Sequence, residues 1–80
     1  MSNDKLLAFG QRVRYLRKNK GISQEEMAAM AGIDRSYMGH IERGEKNITL
    51  TKIYQVSDAL GIDVADLFPR AGDNGVSSAD

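Results

Sequence analysis

The sequence predicts an all-α domain of five short helices, and three features support that prediction. Apolar residues recur at steps of three and four, the spacing that places them on one face of a helix. Serine, aspartate and threonine stand at N-cap positions before these runs. Glycines follow the runs, where helices commonly end. We expect residues 1–69 to form one domain and the small, polar residues 70–80 to form a disordered tail.

The first helix is predicted over residues 4–19. Its inward stripe consists of Leu6, Phe9, Val13 and Leu16. Gly21 then stops the helix, because glycine readily adopts the left-handed conformation found just beyond a helix end. The basic residues off the stripe are equally compatible with a solvated face and with contacts to a partner.

The second helix begins at Gln24, because Ser23 and Glu26 have the spacing of a capping box. In that motif the serine oxygen and the glutamate carboxylate each accept a hydrogen bond from a free backbone N–H at the helix start. Gly32 ends this helix. Its apolar stripe is narrow and is made of small and unbranched residues, Met27, Ala28 and Ala31.

The third helix is predicted over residues 35–43, with Asp34 as its N-cap. Met38 and Ile41 face inward at a spacing of three. The remaining side chains of this helix are expected to face outward: Arg35, Ser36, Tyr37, Gly39 and His40. A glycine inside a helix is less favourable than alanine by about 1 kcal/mol. Gly39 therefore either brings the helix closer to a partner or relieves crowding against another helix.

Two further helices complete the predicted domain. Thr49 caps a fourth helix that runs to about Leu60, and Asp63 caps a short fifth helix over residues 64–68. The end of the domain carries more apolar residues than so short a helix needs for docking: Ile62, Val64, Leu67 and Phe68. These residues form either a lid on the core or a surface for association with a second copy.

Charge is distributed unevenly along a chain whose formal net charge is zero. Residues 1–49 carry nine basic and six acidic residues, whereas residues 50–80 carry two basic and five acidic residues. A basic end can bind phosphate while the acidic end is kept away from it. No apolar run is long enough to span a membrane and the chain does not start like a signal peptide, so we expect a cytoplasmic protein.

The outward face of the third helix has the side chains of a DNA-reading helix. The major groove of B-DNA is about 12 Å wide and admits one α-helix, whose N-terminal residues reach the base edges. We predict that the base-reading residues are Arg35, Ser36, Tyr37 and His40. Two of them have other interpretations, since Tyr37 could be a half-buried packing residue and His40 an ordinary surface histidine.

Contacts to DNA phosphates are predicted at the C-terminal end of this helix, at the start of the second helix and in the first turn of the fourth. The predicted residues are Gln24, Arg43, Lys46, Asn47 and Lys52. Each of them is also compatible with a solvated charge or a turn-forming residue. Their grouping around one helix is what favours a role in phosphate binding.

Metal binding and catalysis are poorly supported by this composition. The chain has one histidine and no cysteine, too few for the usual zinc ligand sets. No nucleophile stands beside a candidate base, and Glu25 and Glu26 are explained as acids that favour a helix start. We therefore expect no enzyme activity, no cofactor and no small-molecule ligand.

Residues 23–47, SQEEMAAMAGIDRSYMGHIERGEKN, resemble the lambda-repressor-like helix-turn-helix domains, the Cro or XRE family of transcription regulators. The resemblance covers about residues 6–68, and within the family the DRSY and RGEKN segments look most like controller proteins of restriction–modification systems. It implies that Gln24 and Arg43 bind phosphate and that the third helix reads bases. It also implies that Arg17 and Glu42 form a structural ion pair and that the last helices form a homodimer.

The resulting hypothesis is a homodimeric, sequence-specific regulator of transcription that binds a near-palindromic operator and regulates its own gene. Its expected partners are double-stranded DNA, a second copy of the chain and RNA polymerase, with no membrane partner. The alternative is a protein-interaction module of the same fold, such as an antitoxin that masks a toxin. The identity of the adjacent gene distinguishes the two.

Overall fold

Four α-helices and a short 3₁₀ helix make up residues 4–69, the part of the chain that the computed structural model describes. The elements are α1 (Asp4–Asn19), α2 (Gln24–Ala31), α3 (Arg35–Glu42), α4 (Leu50–Leu60) and the 3₁₀ helix (Val64–Leu67). The all-α class is confirmed. The predicted fifth α-helix is wrong in type, since this segment forms one 3₁₀ turn. The predicted tail, residues 70–80, lies outside the described residues.

The start of α2 is fixed by the predicted capping box. The Ser23 hydroxyl oxygen accepts a hydrogen bond from the Glu26 backbone N–H at 3.0 Å, and the Glu26 carboxylate accepts one from the Ser23 N–H at 2.7 Å. Gly32 ends the helix in the left-handed conformation, with φ of 70°. The local sequence thus determines both ends of α2.

Side-chain caps begin α3 and α4 but not the 3₁₀ helix. Asp34 Oδ2 accepts hydrogen bonds from the backbone N–H groups of Ser36 and Tyr37, at 3.0 and 3.4 Å. Thr49 Oγ1 accepts one from the Lys52 N–H at 3.3 Å. Asp63 occupies the predicted N-cap position of the 3₁₀ helix, but its side chain makes no cap hydrogen bond; its backbone carbonyl accepts from the Asp66 N–H instead.

The core lies where α1, α2 and α4 surround the inward face of α3 and the 3₁₀ helix closes the end. α3 packs against α1 and α2, α4 packs against α2, and the 3₁₀ helix contacts α4 and α1. The buried apolar residues are Phe9, Val13, Met27, Ala28, Ala31, Ile33, Met38, Ile41, Val56, Leu60 and Leu67. This corrects one prediction, since Leu67 is fully buried in the core and cannot lie on a self-association surface without refolding.

A close approach between α1 and α3 depends on Gly10. A Cβ atom added at this position would lie against the carbonyl oxygen of Ile41 and 2.7 Å from that of Glu42. Both neighbours are backbone atoms, which cannot rotate away as a side chain can. The absence of a side chain at Gly10 therefore allows α3 to approach α1 this closely.

A buried ion pair joins α1 to the end of α3. Arg17 and Glu42 are only 8% and 6% exposed, and Arg17 donates from Nε to Glu42 Oε2 at 2.7 Å and from Nη2 to Oε1 at 2.9 Å. Arg17 Nη1 also donates to the Ile22 carbonyl at 3.0 Å. The hydrogen bonds to Glu42 raise the pKa of the Arg17 guanidinium, so it stays charged in spite of its burial.

Within residues 4–69, no helix is both long enough and apolar enough to cross a membrane.

Candidate nucleic-acid interface

A polar depression of about 260 Å³ opens beside the first two turns of α3. It is lined by Gln24, Arg35, Ser36, Gly39, His40 and Arg43. All of them except Gly39 were predicted to meet DNA. The fold thus brings together, on one surface, residues that are up to nineteen positions apart in the sequence.

The N-terminal end of α3 presents Arg35 and Ser36 to solvent. Both side chains are exposed, and the backbone beneath them is held by the two cap hydrogen bonds to Asp34. Because Asp34 uses its carboxylate on the backbone, Arg35 keeps its five donors for a ligand. This is the end of a helix from which side chains reach base edges in a groove.

Gly39 lies beneath two of the predicted phosphate-binding side chains. A Cβ atom at this position would be 3.0 Å from Arg43 Nη1 and 3.4 Å from Gln24 Oε1. The glycine lines the depression but is buried by those side chains, so it faces the predicted interface without being exposed on it. The space next to it is used to seat the Arg43 guanidinium and the Gln24 amide over the helix.

The buried ion pair holds Gln24 in place. Gln24 Nε2 donates a hydrogen bond to Glu42 Oε1 at 3.1 Å, and that oxygen also accepts from Arg17 Nη2. The side chain at the start of α2 is therefore connected through Glu42 to α1. This connection orients a predicted phosphate-binding residue before any ligand arrives.

Sequence reasoning missed one member of the surface, Glu45. Its Oε1 lies 2.7 Å from His40 Nδ1 and forms an ion pair with Arg43, whose Nε is 3.1 Å away. The hydrogen bond with His40, with a smaller contribution from Arg43, lowers the pKa of the Glu45 carboxyl. Glu45 follows Gly44, whose backbone is left-handed with φ of 71°, and the Glu45 N–H donates to the His40 carbonyl at 2.9 Å.

Tyr37 and Lys52 pair next to the depression rather than inside it. The Tyr37 ring is half-buried against the core, and the Lys52 ammonium lies 5.3 Å from its centre, a cation–π distance. The Tyr37 ring is therefore a half-buried packing group, as the alternative interpretation of this residue expected. Lys52 still carries a charge at the edge of the predicted interface.

The remaining predicted phosphate-binding residues do not join the depression. Lys46 is exposed in the turn after α3, whereas Asn47 is exposed and lines a different surface. Of the predicted phosphate-binding residues, Gln24 and Arg43 line the depression, whereas Lys46, Asn47 and Lys52 are not part of its lining.

The surface that Asn47 lines is an apolar groove of about 500 Å³ between α1, α4 and the chain after the 3₁₀ helix. Its lining includes Leu6, Phe9, Ile48, Ile53 and Phe68. The Phe68 ring packs on Phe9 with 5.1 Å between ring centres and remains 42% exposed. Of the other predicted association residues, Ile62 and Val64 are partly buried.

The profile of the helix-turn-helix family matches residues 13–67. The chain belongs to the helix-turn-helix family. It is 43% identical over 68 residues to control protein C.BamHI of Bacillus amyloliquefaciens, covering 84% of each chain. Family membership identifies this chain as a DNA-binding regulator of transcription and not an enzyme.

Solved structures of family members have the same architecture. The restriction–modification controller protein C.AhdI of Aeromonas hydrophila superposes with a TM-score of 0.78 at 49% identity, covering 79% of this chain and 96% of that one. SinR, the Bacillus subtilis master regulator for biofilm formation, was solved in complex with DNA. It superposes with a TM-score of 0.70 at 38% identity, covering 74% of this chain and 95% of that one.

Proposed function

We propose that this helix-turn-helix protein is a homodimeric regulator that binds a near-palindromic operator and controls a restriction–modification system, including its own gene. The observation that carries the proposal is the depression at α3, where exposed donors surround the N-terminal half of an outward-facing helix. A helix presented in this way matches the major groove in width and in the position of its polar side chains.

Arg35 is the principal base reader in this proposal. An arginine donates two hydrogen bonds to O6 and N7 of guanine, the most common specific contact in the major groove. Ser36 is beside it and is less discriminating, since a hydroxyl both donates and accepts. Tyr37 contributes through its exposed edge and His40 through the ring edge that faces away from Glu45.

Gln24, Arg43, Lys46 and Lys52 position the helix by contacting phosphates. Gln24 is the first residue of α2, where backbone N–H groups and the helix dipole favour an anion. Arg43 follows α3 and reaches back over Gly39. These contacts carry no sequence information themselves but fix the register in which α3 meets the bases.

The apolar groove and the outer face of α4 support the proposed homodimer. Phe68 and Ile53 line the groove, and Leu50, one turn before Ile53, is 67% exposed. Large exposed apolar side chains that lie close together favour burial against a partner. A two-fold dimer presents two copies of α3 about one DNA turn apart, which requires an operator with two inverted half-sites.

The likeness to C.BamHI and C.AhdI supports a controller role in a restriction–modification system. Such a regulator acts in the compartment that holds the DNA, which we propose is the cytoplasm. RNA polymerase is a proposed partner if the bound dimer activates transcription. A transcription assay with purified polymerase distinguishes activation from repression.

The antitoxin alternative has the same fold and a different partner. It predicts a small toxin gene next to this one and a stable complex between the two proteins. The controller proposal predicts a methyltransferase or endonuclease gene at that position.

Selection of duplex DNA from a random pool tests the proposal. We expect enrichment of two inverted half-sites whose centres are about 10 base pairs apart. Binding should weaken steeply as salt is raised, because each phosphate contact displaces counterions. A pool that shows no enriched sequence after several rounds would contradict sequence-specific binding.

A further inference from the structure

His40 is held along one edge of its ring by Glu45. His40 Nδ1 lies 2.7 Å from Glu45 Oε1, and the Arg43 guanidinium faces the same nitrogen with Nη2 at 3.4 Å. Among residues 4–69, the side-chain hydrogen bonds of His40 both involve Nδ1. Nε2, at the opposite edge of the ring, is left for a ligand in the depression that His40 lines.

The short contact decides where the imidazole proton lies. An ionised carboxylate has no proton to donate, so a nitrogen 2.7 Å from it must itself carry the proton. The contact with Arg43 would require the reverse, with Nδ1 accepting, but at 3.4 Å it is long for a hydrogen bond. Arg43 Nε instead lies 3.1 Å from Glu45 Oε1 in an ion pair, and this nearby positive charge favours the ionised carboxylate.

We infer that Glu45 is a specificity-determining residue: it fixes the proton of neutral His40 on Nδ1 and so presents Nε2 to DNA as a hydrogen-bond acceptor. The inference rests on the proposed function and adds a base preference to it. Glu45 itself acts as a positioning residue, since it works through the His40 ring.

An acceptor at Nε2 selects bases that offer a donor in the major groove. Adenine offers its N6 amino group and cytosine its N4 amino group, whereas guanine offers only the acceptors N7 and O6. The half-site position that faces His40 should therefore contain adenine or cytosine on the contacted strand. Arg35 on the same helix favours guanine, so the two residues read opposite hydrogen-bond patterns.

Nitrogen NMR tests the proton position directly, because His40 is the single histidine of the chain. Protein labelled with ¹⁵N-histidine is measured without DNA, above the titration midpoint of His40 found in the same experiment. We expect the proton on Nδ1 in the parent protein. In Glu45→Ala, where Arg43 is left as the partner of Nδ1, the proton should move toward Nε2. A parent protein with its proton on Nε2 would overturn the inference.

Selection of DNA with the same proteins tests the consequence for specificity. His40→Ala identifies the position that His40 reads, and Glu45→Ala should lose the preference for adenine or cytosine there while the position read by Arg35 is unchanged. The inference fails if Glu45→Ala keeps that preference or if His40→Ala changes no position. If neither the parent protein nor any variant enriches a sequence, the proposed function fails. The NMR result still decides the proton position in that case.

Discussion

Arg17 and Glu42 form a two-pronged buried ion pair, with 2.7 Å between Nε and Oε2 and 2.9 Å between Nη2 and Oε1. Glu42 also accepts a hydrogen bond from Gln24, so a contact between α1 and α3 orients a side chain at the DNA-facing surface. The Glu42 carboxylate thus connects helix packing to the DNA-facing surface. Removing the charge of Arg17 or of Glu42 should affect both the stability of the fold and DNA binding.

Replacing one partner of this pair should strongly destabilise the fold. Arg17→Ala leaves the Glu42 carboxylate buried, and we expect a loss of about 3 to 5 kcal/mol in the free energy of unfolding, measured by urea denaturation. Arg14→Ala, an exposed change on the same helix, should stay within about 0.5 kcal/mol of the parent. The double change Arg17→Met with Glu42→Leu should be milder than Arg17→Ala, because it leaves no unpaired charge. Equal stability of Arg17→Ala and Arg14→Ala would contradict the structural role of the pair.

Replacing glycine by alanine should have different effects on the stability of the domain at two positions inside helices. Gly10→Ala forces a Cβ against the α3 backbone, so we expect it to destabilise the domain by about 1 to 3 kcal/mol. Gly39→Ala meets only the far ends of two flexible side chains, and the gain in helix propensity should leave stability equal or higher by up to about 1 kcal/mol.

The same Gly39→Ala variant should nevertheless bind operator DNA more weakly, because it displaces Arg43 and Gln24 from their positions. Thermal unfolding and fluorescence anisotropy on the same preparation separate the two effects. The proposed role of Gly39 is wrong if the variant binds the operator like the parent.

The Glu45 carboxyl should titrate at a lower pH than an ordinary glutamate. Its folded pKa is lowered first by the hydrogen bond with His40, so the stability it contributes is present above the ordinary glutamate pKa. That contribution is lost as the pH falls through the lower folded pKa. Carbon NMR of the side chain should show His40→Ala raising the Glu45 midpoint more than Arg43→Ala does. The opposite order would contradict the arrangement of this cluster.

An acidic residue at Leu50 should weaken the dimer without unfolding the chain. Leu50 is exposed at the start of α4, where a negative charge suits the helix dipole. Leu50→Glu should raise the dimer dissociation constant about tenfold or more, since burying a leucine side chain contributes about 1.5 to 3 kcal/mol. Met30→Glu changes an apolar residue that is 54% exposed on α2 and serves as the control. Sedimentation equilibrium that shows equal dissociation constants for both variants would exclude the outer face of α4 from the interface.

Local signals in the sequence predicted most of the fold. The starts of α2, α3 and α4 depend on side chains within three residues of each helix, so the capping pattern alone located them. The 3₁₀ helix was predicted as an α-helix because its apolar spacing suits either form. Leu67 of this segment packs into a core formed by distant residues, a contact that local spacing does not show.

The site was predicted less completely because three of its features depend on contacts that the periodicity of the sequence does not show. Gly39 seemed to face outward by helical periodicity, yet Arg43 and Gln24 cover it. Asn47 stands beside Lys46 in the sequence but lies on the apolar groove. Glu45 has no signal of its own, since its position beside His40 follows from the backbone turn at Gly44.

Operator binding by two variants tests most directly whether Arg35 on α3 reads a base while Lys46 contacts phosphate. Affinities are measured by fluorescence anisotropy on the selected operator and on its single-base variants. Arg35→Ala should lose about 1 to 3 kcal/mol of binding free energy and should no longer discriminate at one position in each half-site. Lys46→Ala should weaken all the sequences equally and reduce the salt dependence. Base reading by Arg35 is contradicted if Arg35→Ala keeps the full base discrimination of the parent protein.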